Sequence, residues 1–69
     1  MTPDLLQRCG EALYGPRWQS DLSRDLQISD RTMRRWIADG GVPDGVYRDL
    51  RELCRHRAKE LSALIARLP

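Results

Sequence analysis

The chain has 69 residues, of which 41% are hydrophobic, and its formal net charge is +2. A chain of this length forms one domain over residues 1–69. It buries only about 60% of its unfolded surface and leaves little room for the pocket that most enzymes need. No apolar run reaches the roughly 20 residues of a membrane span, and no signal peptide is evident. Two cysteines are too few for the disulfide framework of a secreted protein, so we expect a soluble cytoplasmic protein.

The basic residues are unevenly distributed, and all but Lys59 are arginines. Residues 1–30 contain three basic and five acidic side chains, whereas residues 31–69 contain nine and five, a difference of +4. Arginine suits planar, bidentate contacts with phosphates and base edges. The small net charge therefore conceals a basic second half that suits an anionic partner.

The first two predicted helices are delimited by residues that start and stop helices. Thr2, Pro3 and Asp4 read as an N-cap, a first-turn proline and a first-turn acid. Apolar residues then recur at helical spacing until Gly15–Pro16 ends the helix. A second helix is predicted from about residue 18 to residue 27, although its start lacks a capping residue.

The last two predicted helices follow the same logic. Ser29 is a suitable N-cap for a third helix, which Gly40–Gly41 ends. Pro43–Asp44 opens a fourth helical segment, in which apolar residues continue at helical spacing to Leu68. One long helix fits this segment, and so do two helices joined by a bend near residues 56–58. No stretch alternates with a period of two, so the predicted class is all-α.

A recognisable pattern lies in residues 19–38, where two short helices are separated by only a few residues. Ser23 is a small residue at the predicted helix crossing, and apolar side chains lock the two helices together: Leu22, Leu26, Ile28, Met33 and Trp36. The pattern resembles the phage repressor and Cro-like helix-turn-helix family, also called lambda-repressor-like, over roughly residues 4–55. Gln27 departs from it, because that position is usually glycine. The resemblance implies a four- to five-helix DNA-binding domain with its helix-turn-helix at about 18–39 and a long or bent C-terminal helix.

The third helix is predicted to carry its chemistry on the side opposite Met33 and Trp36. At about 100° per residue, three arginines and Ala38 share that side. Arginine can bridge two acceptors of guanine in the major groove. The resemblance assigns base contacts to Asp30, Arg31 and Arg35, with Ser29 and Thr32 beside them. Asp30 could instead pair with Arg34 and only orient it.

Phosphate contacts in this family come from helix ends. The resemblance, together with the N–H groups at the start of the second helix, assigns them to Gln19, Arg17 and Trp18, with Arg34 and Arg48 as further candidates. Trp18 stays open at this point between a phosphate donor and a core residue.

The C-terminal segment, about residues 57–68, carries the apolar stripe Leu61, Leu64, Ile65 and Leu68. It either folds back to complete a small core or forms a dimer interface, and we favour the interface, because one small domain reads too few base pairs. The expected protein is a homodimeric repressor or autoregulator of a phage or mobile-element operon. It would bind an inverted repeat in double-stranded DNA, in the nucleoid, without cofactor, metal or catalysis.

Three alternatives remain. In an antitoxin, the C-terminal stripe would bind a toxin while the helix-turn-helix autoregulates. The residues 29–43 also resemble excisionase and MerR-like proteins, which continue into a β-wing. In a helical protein-binding module, Arg31 and Arg35 would have no part in binding.

The remaining polar residues are interpreted as structural: His56 as a surface residue, and Asp21 and Asp25 as the exposed side of the second helix. Cys9 and Cys54 are expected to be buried thiols.

Overall fold

The computed structural model describes residues 3–69, and within this range every regular element is an α-helix. The four helices are α1 (Pro3–Tyr14), α2 (Trp18–Leu26), α3 (Asp30–Asp39) and α4 (Gly45–Arg67). The all-α prediction is therefore confirmed, and residues 3–69 form four helices. None of these helices is long and apolar enough to cross a membrane.

Helix α1 lies at the centre of the packing, since it contacts each of the other three helices. Its Leu6, Gly10 and Leu13 are buried, whereas Leu5, which the apolar spacing grouped with them, is 43% exposed. The helix ends as predicted at Gly15, whose φ of +86° lies in the left-handed region that glycine adopts without a steric cost. The predicted cap at Thr2 lies outside the described residues.

The turn between α2 and α3 is a Schellman motif with Gln27 in the usual place of glycine. Gln27 has φ 59° and ψ 42°, and its N–H donates to the carbonyl of Arg24 at 3.1 Å. The next N–H, that of Ile28, donates to the carbonyl of Ser23 at 3.0 Å. The turn is therefore as tight as a glycine would make it, and the left-handed conformation costs a non-glycine residue about 1–2 kcal/mol.

Helix α4 is a single continuous helix of 23 residues, about 34 Å long, so the structure has the first of the two predicted forms, one long helix. Its first three turns pack on the helical body through Val46 and Leu50, with Leu53 half-buried. At the end of this packed part, Nη1 of Arg57 donates to the backbone carbonyl of Leu13 at 2.8 Å. Every residue from 58 to 69 is exposed. The molecule is elongated, with extents of 45 × 22 × 20 Å.

The core is built around the contact of Trp18 with α1. Trp18 is 4% exposed, and its ring lies so close to Gly10 that a Cβ on that glycine would stand 2.2 Å from Cε3 of the indole. The remaining core comes from all four helices and the α3–α4 loop: Leu6, Leu22, Met33, Trp36, Val42, Val46 and Leu50.

The two cysteines are half-buried rather than fully buried, and they meet where α1 packs against α4. Burial raises the pKa of Cys9, and the neighbouring thiol of Cys54, which is hydrogen-bonded to it, raises it further. A raised pKa keeps the Cys9 thiol protonated and lowers its reactivity.

Candidate nucleic-acid interface

One side of α3 is buried and the other presents its basic residues to solvent. Met33 is fully buried and Trp36 is 6% exposed, so these two side chains fix the rotation of the helix about its axis. Arg31, Arg34 and Arg35 are exposed on the opposite side, with Ala38 among them. The surface formed by these four residues is called the arginine face below. It has the placement expected from the sequence.

The start of α3 is fixed by its cap. The Oγ of Ser29 accepts the N–H of Thr32 at 3.1 Å, and its hydroxyl donates to Oγ1 of Thr32 at 3.0 Å. Thr32 is also half-buried. Both residues were predicted to stand beside the base-contacting positions, and the structure gives their hydroxyls a capping role. Of the predicted base contacts, Asp30, Arg31 and Arg35 are exposed.

The ion pairs of the described residues lie away from the arginine face. Arg8 pairs with Asp4, Arg24 with both Asp21 and Asp25, Arg55 with Glu52, and His56 with Glu60. Within residues 3–69, no carboxylate pairs with Arg31, Arg34 or Arg35, and the alternative pair of Asp30 with Arg34 is not formed. Their guanidinium donors are therefore available to an external acceptor.

The predicted phosphate-contacting residues at the start of α2 divide into two groups. Arg17 and Gln19 are exposed, and the side chain of Arg17, the N-cap residue, makes no capping hydrogen bond. The first N–H groups of the helix can accept an anion, with Arg17 and Gln19 beside it. Trp18, in contrast, is a core residue that packs on Gly10, and its indole N–H as a phosphate donor stays a prediction. Arg48 is exposed on α4.

The predicted interface residues at the C-terminus are strongly exposed. Leu61, Leu64, Ile65 and Leu68 are 51%, 54%, 68% and 68% exposed. The alternative in which this segment folds back to complete the core is wrong, since α4 continues as one helix beyond Arg57 and residues 58–69 are exposed. These four residues, called the C-terminal stripe below, form an apolar surface that a single chain leaves uncovered.

The exposure of two further hydrophobic residues was not predicted from the sequence. Leu5 and Tyr47, 43% and 38% exposed, line a surface recess of about 240 Å³ between α1 and α4, together with Cys9, Leu50, Arg51 and Cys54. Helical spacing could not separate Leu5 from Leu6, because adjacent residues on a helix differ by only 100°.

Another surface recess is acidic. It has a volume of about 400 Å³ and lies between the end of α2 and α4, where Asp25, Asp49, Glu52 and His56 line it. His56 is exposed, as predicted, and its Nε2 lies 3.0 Å from Oε1 of Glu60. Within the described part of the chain, no three histidine, cysteine or carboxylate side chains are arranged to hold a metal ion.

Comparisons with protein-family models, with curated proteins and with solved structures found no match to this chain. The function is therefore inferred from the geometry of the molecule. That geometry defines a small four-helix protein with an exposed arginine face and an exposed apolar C-terminal helix.

Proposed function

We propose that this protein is a sequence-specific double-stranded DNA-binding regulator of the lambda-repressor-like helix-turn-helix class. In this proposal α2, the Schellman turn and α3 form the helix-turn-helix, and α3 enters the major groove. The observation that carries the proposal is the arginine face: three exposed guanidinium groups without a partner among residues 3–69, on a short helix whose opposite side is held by Met33 and Trp36. A major groove about 12 Å wide admits such a helix.

The proposed contacts with DNA are of two kinds: contacts with bases, which specify the sequence, and contacts with phosphates, which do not. Arg31 and Arg35 read base edges, and a bidentate arginine–guanine contact contributes about 1–3 kcal/mol of discrimination. Asp30 accepts from a cytosine amine. Arg34, Arg17, Gln19 and Arg48 bind phosphates, which positions α3 without specifying sequence.

The protein acts in this proposal as a homodimeric repressor or autoregulator of a phage or mobile-element operon. The C-terminal stripe supports self-association, because a contiguous exposed apolar surface of this kind marks an interface. A twofold dimer would bind an inverted repeat whose half-sites are about 10–10.5 bp apart. Binding then depends on the concentration of the protein.

A selection of bound fragments from random duplex DNA tests the proposal, because it yields both a motif and its half-site spacing. We expect an inverted repeat and an Arg35→Ala variant that binds it about 10- to 100-fold more weakly. Arg55→Ala is the matched control, since Arg55 is also exposed but lies on α4 in an ion pair with Glu52. Failure to enrich any sequence, or equal losses in both variants, would refute the assignment of α3.

The exposed C-terminal stripe also fits a second candidate, an antitoxin whose α4 binds a toxin protein. Sedimentation of the purified protein separates the two. A homodimer at micromolar concentration supports the first candidate, and a monomer that associates only with the product of an adjacent gene supports the second. The excisionase and MerR-like alternative is not supported, because it requires a β-wing where the residues from Gly45 to Arg67 are helical.

A further inference from the structure

The six large hydrophobic side chains that the described chain exposes lie at two separated places. The C-terminal stripe occupies residues 61–68, whereas Leu5 and Tyr47 lie beside the recess between α1 and α4. Tyr47 precedes Leu61 by 14 residues, which is about 21 Å along the straight helix. A single partner surface that covers both places must therefore extend along most of α4.

The α4 residues of the two places lie on the same side of that helix. At 100° per residue, Tyr47 and Ile65 fall at the same angle around the helix, and Cys54 and Leu61 lie within about 20–40° of it. Leu68 and Leu64 continue the stripe toward the side on which Val46 and Leu50 pack against the body. The apolar surface thus continues from the recess to the end of the helix.

From this arrangement we infer that two copies of the chain pair through antiparallel α4 helices, so that the C-terminal stripe of each fills the recess of the other. An antiparallel pairing centred at residues 57–58 brings residues 61–68 of one copy beside residues 47–54 of the other, because the paired numbers then sum to 115. The inference rests on the self-association in the proposed function and is independent of DNA binding.

Three features favour a second copy as the occupant. The chain carries both halves of the contact, an exposed apolar stripe and a mostly apolar recess that Arg51 also lines, and a twofold axis lets each copy use both. A twofold pairing also uses the same surface on both copies and leaves no second copy of it free, so it does not generate a filament. Finally, a stable interface buries about 800 Å² from each partner. About 16 Å of helix beyond Arg57 offers little toward that area, whereas adding the recess with Leu5 and Tyr47 doubles the length of the contact.

A parallel pairing would bury fewer of the exposed hydrophobic side chains. It would place the C-terminal stripe of one copy against the same stripe of the other. The Leu5 and Tyr47 side chains of both copies would stay exposed about 21 Å away.

Cysteine cross-linking without DNA tests the orientation. The background is Cys9→Ala with Cys54→Ala, into which Tyr47→Cys, Leu68→Cys or both are introduced, and the protein is incubated with a glutathione redox buffer. We expect a covalent dimer only from the double variant. Residues 47 and 68 are about 31 Å apart on one straight helix and cannot be joined within a chain. A covalent dimer from Leu68→Cys alone would establish a parallel pairing and overturn the inference, as would the absence of any covalent dimer.

The monomer–dimer equilibrium gives a second readout. We expect Tyr47→Glu to weaken self-association at least tenfold by sedimentation equilibrium, although Tyr47 lies far from the C-terminal stripe. Arg48→Glu, which introduces a carboxylate at the next position on a different side of α4, is the matched control and should change it little. An unchanged Tyr47→Glu dimer with helix content equal to that of the unmodified protein would overturn the inference. DNA binding is measured separately, so its failure would leave this result standing.

Discussion

The contact between Gly10 and Trp18 predicts that a substitution which normally stabilises a helix will here destabilise the protein. A Cβ at position 10 would lie 2.2 Å from Cε3 and 2.5 Å from Cδ2 of the indole, so the ring must retreat by about 1.2 Å to reach the 3.4 Å of ordinary contact. Trp18 is 4% exposed, so its ring must move against the other core side chains. Overpacking of this kind costs about 1–3 kcal/mol, and the upper end applies because both the ring and the helix backbone are rigid.

Replacing glycine by alanine inside a helix contributes about 1 kcal/mol in the opposite direction. We therefore expect Gly10→Ala to lower the free energy of unfolding by about 2 kcal/mol. The assay is urea unfolding followed by circular dichroism at one fixed protein concentration, because self-association adds to stability. Gly45→Ala is the control: nothing lies within 4 Å of its Cβ, and we expect no loss.

The same experiment tests the position of Trp18. If the indole were a surface group that contacts phosphate, Gly10→Ala would stabilise the protein by about 1 kcal/mol. In a Trp18→Leu background the clash is absent, so Gly10→Ala should become neutral or favourable. A stabilising Gly10→Ala in the unmodified protein would refute the packing described here.

Three further predictions concern the turn, the α1–α2 contact and the end of the packed part of α4. Gln27→Gly should stabilise the protein by about 1 kcal/mol in urea unfolding, because it relieves the positive φ, whereas Gln27→Ala should change little; equal effects of the two would contradict the strain. The hydroxyl of Tyr14 donates to Oδ2 of Asp25 at 2.5 Å, and burial, followed by this hydrogen bond, raises the pKa of Tyr14 from 10.0 to about 12. Its stabilising contribution is complete below pH 10 and is lost as the pH rises toward 12, so Tyr14→Phe should show a smaller fall in unfolding free energy over that range; parallel pH profiles would argue against the bond. Arg57→Ala should cost about 1–2 kcal/mol, because it leaves the carbonyl of Leu13 without its charged donor, and a loss within the error of urea unfolding would show that the bond contributes little.

Local signals explain why the helix boundaries could be predicted from the sequence. Gly15, Ser29 and Gly40 act within one turn of their own positions, and each starts or ends a helix where it was expected to. Gln27 shows how far such rules reach: the residue is unusual for a left-handed position, yet the hydrogen bonds of the turn hold it there.

Features that depend on distant partners could not be predicted. Whether Trp18 is buried depends on Gly10, eight residues earlier, and a glycine inside an amphipathic helix is the signal that indicates such a close approach. Arg57 interrupts the leucine pattern of α4, but only the structure reveals the carbonyl of Leu13 that it binds. The arginine face could be predicted, because the positions of Met33 and Trp36 alone determine which side of α3 is exposed.

The central claim, that the arginine face reads DNA sequence, is tested most directly by the ratio of affinities for the selected inverted repeat and for a random duplex. Fluorescence anisotropy at several salt concentrations gives this ratio for the unmodified protein, Arg35→Ala and Arg17→Ala. We expect Arg35→Ala to reduce the ratio about 10- to 100-fold. Arg17→Ala should weaken binding to both duplexes alike and reduce the salt slope by about 0.9. An Arg35→Ala variant that keeps the full ratio would contradict the proposed function.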